Sequence, residues 1–175
     1  AMMGKWHLGD SYPFAPEHRG FHAALYHGAG GVGQMPDVWD NDYFDDQYLN
    51  QGLPEAQKGY CTDVWFDASL DFIDRQRQQD QPFFLYLATN APHGPYHVDS
   101  AYIRPYLNQP DIANPNFYGM ITQFDENLGK MMQKLKEWDL EDNTLLVFLT
   151  DNGSSAGARL DKMGYVKQGY NAGLR

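Results

Sequence analysis

Cysteine is almost absent from the chain. Its single thiol, Cys61, excludes an internal disulfide. No apolar run approaches the roughly 20 residues needed to cross a bilayer, and no signal-peptide pattern is visible, so no membrane partner is expected. Basic residues are also scarce. Thirteen Lys and Arg stand against 23 Asp and Glu, a net charge of −10, which argues against a nucleic-acid backbone as the main partner. Apolar residues are not scarce. At 42% of 175 residues they suffice for the core of one domain of ordinary size.

The stretch that organises the rest is Thr144 to Gly153. Leu145 to Leu149 is an unbroken apolar run of strand length, the pattern of a strand buried on both faces. At its end Asp151 and Asn152 offer a carboxylate and an amide oxygen, and Gly153 lets the backbone turn away. Such oxygen donors suit a hard cation, Ca²⁺ or Mg²⁺. A simple turn after a strand uses the same residues.

Two more stretches repeat the arrangement. A short apolar start, Ala1-Met2-Met3, runs into Gly4-Lys5-Trp6-His7-Leu8-Gly9. Lys5 and His7 are two apart, so in an extended segment they point the same way and can grip an anion. Phe83 to Thr89 predicts a second buried strand, followed at once by Asn90-Ala-Pro-His-Gly-Pro95. The flanking prolines stiffen the loop that carries His93, and histidine suits proton transfer near neutral pH. His97 is read as solvent-facing.

Between these lie elements that carry no chemistry. The periodicity predicts helices over 62–78 and 117–140. The second has Ile121, Phe124, Leu128, Met131, Met132, Leu135 and Trp138 on its apolar side, and Gln123 and Asn127 on its wet side. Strand 83–89, helix 117–140 and strand 144–150 are expected to form one right-handed parallel βαβ unit. Residues 10–60 show little periodicity and read as an irregular excursion shaping a substrate rim. Within them, Gly28 to Gly33 matches G-x-G-x-x-G. No strand is predicted ahead of it and Pro36 follows, so dinucleotide binding is discarded. Trp39 to Asp46 reads as a solvated loop with aromatic anchors rather than an EF-hand. Cys61 reads as a buried small side chain at a helix start. Residues 154–175 read as an active-site loop without regular structure.

If the three strands are parallel in one sheet, Lys5, His7, His93, Asp151 and Asn152 emerge along one edge, where open α/β sheets bind ligands. A cation, an ammonium and two imidazoles suit an anionic tetrahedral group. Residue chemistry alone supports hydrolysis of a phosphate or a sulfate ester and does not choose between them.

Gly4-Lys-Trp-His-Leu-Gly9, Ala91-Pro-His-Gly-Pro95 and Thr150-Asp-Asn-Gly153 resemble, in order and spacing, motifs of the formylglycine-dependent sulfatases of the alkaline-phosphatase-like superfamily. The resemblance covers most of the chain outside 10–60. It implies an α/β core with a mainly parallel sheet flanked by helices. It implies that Lys5 touches the sulfate and the modified nucleophile, and that His7 hydrogen-bonds the formylglycine hydroxyl. It further implies that His93 contacts the sulfate and assists the leaving alcohol, while Asp151 and Asn152 ligate a divalent metal, usually calcium. The partner implied is a sulfated small molecule or glycan, and the compartment periplasmic, secreted or lysosomal.

The sequence also departs from that pattern. No C/S-x-P-x-R motif is present to become formylglycine, and the family's paired aspartates on a first strand are missing. The expectation is therefore a partial catalytic domain spanning 1–175, inactive alone, with an incomplete calcium site and an unpaired sheet edge that promotes self-association. The alternatives are a phosphodiesterase or phosphomonoesterase of the same superfamily, or a non-catalytic glycan-binding module using Trp39, Tyr43 and Phe44.

Overall fold

A computed structural model of the chain describes residues 1–32, 34, 43–153 and 156–170. These fall into two units, Ala1–Ala91 and Pro92–Arg175.

In the first unit, strands β1 (Met2–Lys5), β2 (Ala24–His27), β3 (Gln47–Asn50), β4 (Leu53–Ala56) and β5 (Tyr86–Ala88) form one sheet in the order β4-β3-β2-β1-β5. The three strands β2, β1 and β5 run parallel, and β3 and β4 join antiparallel on the far side of β2. The class is α/β as expected, with a mixed sheet. Helix α1 (Cys61–Gln78) packs on β1 and β5. Its buried residues Cys61, Thr62, Val64, Trp65, Phe66, Ser69, Phe72 and Ile73 include the turn-spaced series Cys61, Trp65, Ser69 and Phe72, which makes one continuous inward stripe. Met2, Trp6, Ala24, Tyr26 and Leu49 build a core cluster, with Phe21 and Ala88 packed against it.

The excursion over 10–60 is not irregular throughout, since it supplies β2, β3 and β4. These strands are four residues long, too short to print a period. In addition, β2 is buried at every position and so shows no alternation. Gln51 and Gly52 both have positive φ, 49° and 79°, the geometry of a tight two-residue hairpin turn between β3 and β4. The strand expected over 83–89 is confined to β5, which lies at the sheet edge. Phe84 and Tyr86 are exposed while Phe83 and Leu85 are half-buried, so it is covered on one face rather than both.

The second unit is built on helix α3 (Pro115–Glu137), with the short helix α2 (Ser100–Ile103) packed on it. Asn114 caps α3 by accepting hydrogen bonds from the N–H groups of Asn116 and Phe117, and Pro115 occupies the first turn where no N–H is required. The buried line is Phe117, Met120, Gln123, Asn127, Met131 and Leu135. Gln123 and Asn127, expected on the wet side, are therefore inside, while Ile121 and Met132, expected inside, are exposed. An internal bond accounts for part of this: Asn127 Nδ2 donates to the Gln123 carbonyl at 3.0 Å, which satisfies an amide that burial takes from water.

The expected strand over 144–150 does not form. A strand exists only through a ladder, and among the described residues of this unit the sole ladder joins β6 (Ala158–Leu160) to β7 (Val166–Gly169). The apolar run is consequently exposed, with Leu145 at 89% and Leu149 at 80%. The β6–β7 hairpin itself lies where only loop was expected. Its turn is tied by Asp161, whose carboxylate accepts from the N–H groups of Met163 and Tyr165. Gln168 Nε2 anchors it to the carbonyls of Pro110 and Ile112.

Candidate active site

Lys5 closes β1, and His7 stands two residues beyond it, so both lie at the carboxyl end of a parallel strand. Lys5 is half-buried and His7 exposed. The residue between them anchors the turn. Trp6 is 5% exposed, and its indole N–H donates to the carbonyls of Gly9 at 3.0 Å and Phe14 at 2.8 Å. Its ring meets Phe21 edge-on at 5.8 Å. With Trp6 fixed, the chain turns at His7 through a left-handed φ of 50°, a conformation that costs a non-glycine residue roughly 1–2 kcal/mol. The expectation that Lys5 and His7 share a direction in an extended segment does not hold here, because β1 ends at Lys5.

The glycine-rich stretch set aside as a nucleotide motif has a structural use. Ala29 N–H donates to Asp10 Oδ1 at 2.8 Å, which draws residues 28–32 against the turn that holds His7. A Cβ at Gly30 would lie 2.9 Å from His7 Nε2, so a side chain there would displace the imidazole. Gly33 and Pro36 of that stretch lie outside the described residues.

The residues missed at the sequence level are His27 and Asn90. His27 ends β2 as the register partner of Lys5 and is 4% exposed. Its Nδ1 donates to the Gly28 carbonyl at 2.7 Å, and Asn90 Nδ2 donates to its Nε2. Burial lowers its pKa to about 4, and the nearby Lys5 charge pushes in the same direction, so the ring is neutral. The available signal was a histidine closing a fully apolar stretch, Ala24-Leu-Tyr-His27, on a strand too short to recognise.

In the second unit His93 is exposed, and its Nδ1 donates to the Gly94 carbonyl at 2.6 Å. That bond makes Nε2 the accepting nitrogen of the neutral ring. Asp151 and Asn152 are exposed in a bend. Their oxygens fit a hard cation in type. They fit it poorly in number, because calcium takes six to eight oxygen ligands. Among the described residues no group of three His, Cys, Asp or Glu side chains gathers to complete such a site.

Cys61 and one near-match to the absent nucleophile motif resolve clearly. Cys61 is fully buried at the first position of α1, and burial raises its pKa, so it is a packed thiol rather than a nucleophile. Ser11-Tyr-Pro-Phe-Ala15 shares the serine and proline spacing of a formylglycine motif but places buried Ala15 where arginine is required. Of the aromatic trio proposed to stack on sugars, Tyr43 is fully buried and Trp39 lies outside the described residues.

Comparison with known proteins agrees with this architecture. The chain is 28% identical over 204 aligned residues to the uncharacterized sulfatase YdeN of Escherichia coli, covering 99% of this chain and 34% of that protein. It is 29% identical to N-acetylgalactosamine-6-sulfatase of Canis lupus familiaris, covering 88% of this chain and 30% of that one. The crystal structure of Ps i-CgsB in complex with k-i-k-neocarrahexaose superposes with a TM-score of 0.70 at 28% identity, over 81% of this chain and 34% of that one. The chain thus spans about a third of the length of the proteins it matches. The family model for sulfatases matches residues 1–175, and the chain belongs to the sulfatase family.

Proposed function

We propose that this chain is part of a sulfatase that hydrolyses sulfate esters of glycans, with Lys5, His7 and His93 in the reaction and Asp151 and Asn152 at a divalent metal. The observation that carries the proposal is the turn at the end of β1. It presents a half-buried ammonium and an exposed imidazole from a rigid indole anchor, in a chain matched to sulfatases along its whole length.

In this reading the Lys5 ammonium neutralises sulfate oxygens as charge builds on them in the transition state. His7 would hydrogen-bond the nucleophile's hydroxyl and hold it in place. His93, with Nδ1 committed to the Gly94 carbonyl, presents Nε2 to the leaving oxygen and, as the imidazolium, gives the Nε2 proton to that oxygen, returning to the neutral ring. A formylglycine would supply the nucleophile. No residue of this chain takes that role, since Cys61 is buried and no C/S-x-P-x-R motif occurs. The nucleophile is therefore assigned to a segment outside these residues. Asp151 and Asn152 would hold calcium with ligands from that same source.

A glycan substrate is favoured over a small aryl sulfate because the 28%-identical Ps i-CgsB was crystallised with a carrageenan-type hexasaccharide. The compartment proposed is periplasmic, secreted or lysosomal. No described helix is long and apolar enough to cross a membrane.

The test is sulfate release from sulfated oligosaccharides and 4-nitrophenyl sulfate, beside the matching phosphate esters, by the whole protein containing this chain. Lys5→Ala and His93→Ala are each expected to lower turnover by about 100-fold or more. Unchanged turnover in both variants, or a preference for phosphate, would overturn the proposal. The 175-residue chain alone is expected to show no turnover.

A further inference from the structure

Strands β2 and β5 flank β1, so their carboxyl ends stand two strand spacings, roughly 10 Å, apart. Two buried side chains close that gap. His27 ends β2, Asn90 lies two residues past β5, and Asn90 Nδ2 donates to His27 Nε2. Both residues are nearly inaccessible, at 4% and 2%. The bridge continues on each side. His27 Nδ1 donates to the Gly28 carbonyl at 2.7 Å, and Asn90 Oδ1 accepts from Trp65 Nε1 of α1 at 2.9 Å. Trp65 is fully buried and packs on Tyr48 at 4.3 Å between ring centroids, so the chain ends in the core.

Every role along this chain is forced. An indole N–H only donates, so the Asn90 oxygen faces Trp65 and its nitrogen faces His27. A carbonyl only accepts, so the imidazole proton sits on Nδ1 and Nε2 offers a lone pair. A second proton on the ring would set two donors against each other inside the core. The depressed pKa of His27, about 4, agrees with that neutral state.

What the bridge spans is the end of β1. Lys5 is the register partner of His27, and the next residue, Trp6, donates its N–H to the His27 carbonyl at 3.1 Å. Among the described residues no carboxylate forms an ion pair with Lys5.

We propose that His27 and Asn90 form a neutral clamp across the carboxyl end of β1, and that His27 is a positioning residue that orients Lys5 toward the substrate's anionic group. This inference rests on the assignment of Lys5 to sulfate. A neutral ring serves that task where a charged residue would not: a carboxylate would pair with the ammonium, and a second cation would repel it.

The clamp is tested by NMR on the whole protein that contains this chain. Nitrogen-detected spectra of His27 are expected to show the Nδ1–H tautomer, unchanged from about pH 8 down to about pH 5.5, whereas an unperturbed histidine titrates near 6.5. An Nε2–H tautomer, or titration near 6.5, overturns the clamp. Lys5 side-chain signals report the positioning. His27→Leu is expected to shift them, and His27→Gln, which keeps one donor and one acceptor, is expected to restore them. A merely structural histidine would lower the unfolding midpoint in His27→Leu and leave the Lys5 signals of the folded form in place, which would overturn the proposal. If His27→Leu does not fold, Asn90→Asp decides. A carboxylate facing Nε2 should hold His27 protonated at neutral pH and move Lys5, and an unmoved Lys5 counts against the clamp.

Inorganic sulfate separates this inference from the functional reading. Loss of sulfate response in Lys5→Ala, with about tenfold weaker response in His27→Leu, supports both. A response equal in wild type and Lys5→Ala, or absent from both, sinks the sulfate assignment of Lys5 and with it the orienting role, whatever the His27 tautomer. Full response in a folded His27→Leu alongside loss in Lys5→Ala sinks the inference alone.

Discussion

Gly4 of β1 lies so close to Ala88 of β5 that a Cβ on Gly4 would fall 2.1 Å from the Ala88 carbonyl oxygen. The glycine also holds a φ of 106°, which a side chain rarely adopts. Both facts follow from a strand that must bend next to its parallel neighbour just before it delivers Lys5.

Gly4→Ala is therefore expected to destabilise the chain by at least about 2–3 kcal/mol, because the clash is with backbone and no rotamer relieves it. Urea unfolding measures this. A loss below about 1 kcal/mol would show that the β1–β5 contact relaxes freely.

Acid should weaken the fold through His27. Its folded pKa is about 4, below the unfolded value near 6.5, so between these values the unfolded chain binds a proton that the folded chain does not. Stability from this group is fully present above about pH 6.5 and is lost as pH falls toward about 4, by roughly 3 kcal/mol in total. The Lys5 charge deepens the shift and Asp10 opposes it. His27→Gln should flatten the stability profile across that window by roughly the same 3 kcal/mol, read from unfolding at matched pH values. An identical slope in both proteins would exclude His27 as the source.

The exposed run from Leu145 to Leu149 should drive association. Five consecutive exposed apolar residues with no ladder partner among the described residues are a template for pairing with another chain. Light scattering is expected to show oligomers of the 175-residue chain, reduced by Val147→Lys, which places a charge in the middle of the run. A compact monomer at about 100 μM, a concentration at which such surfaces associate, would contradict this.

Calcium should bind weakly. Asp151 and Asn152 supply two donors where such sites use six to eight, so calorimetry is expected to give a Kd weaker than about 10⁻⁴ M, abolished by Asp151→Ala. Submicromolar affinity would mean that further ligands converge on Asp151.

The two long helices were legible because each spans several turns, so the spacing of Trp65, Phe72 and Ile73, or of Met131 and Leu135, repeats often enough to read. Where α3 was misread, at Gln123 and Asn127, the cause is specific. The sequence shows polarity, but Asn127 can be buried because its amide donates to the main-chain carbonyl one turn back, and polarity alone does not show that. The strands fared worse. β2 is four residues with no exposed face, and its histidine carries no local mark of being clamped.

The amino-acid sequence alone determined the family, through three short motifs in order, and the identity of the residues offered for chemistry: Lys5, His7, His93, Asp151 and Asn152. Motifs of that kind depend only on residue type and spacing, which the chain states outright. The tertiary structure alone decided that β1 lies between β2 and β5, that His27 meets Asn90 across it, and that Leu145–Leu149 has no ladder among the described residues. Those are pairings between distant segments, 63 residues apart for His27 and Asn90 and farther for β1 and β5. Hydrogen bonds across such distances are set by which strands become neighbours, and no local stretch of sequence encodes its neighbour.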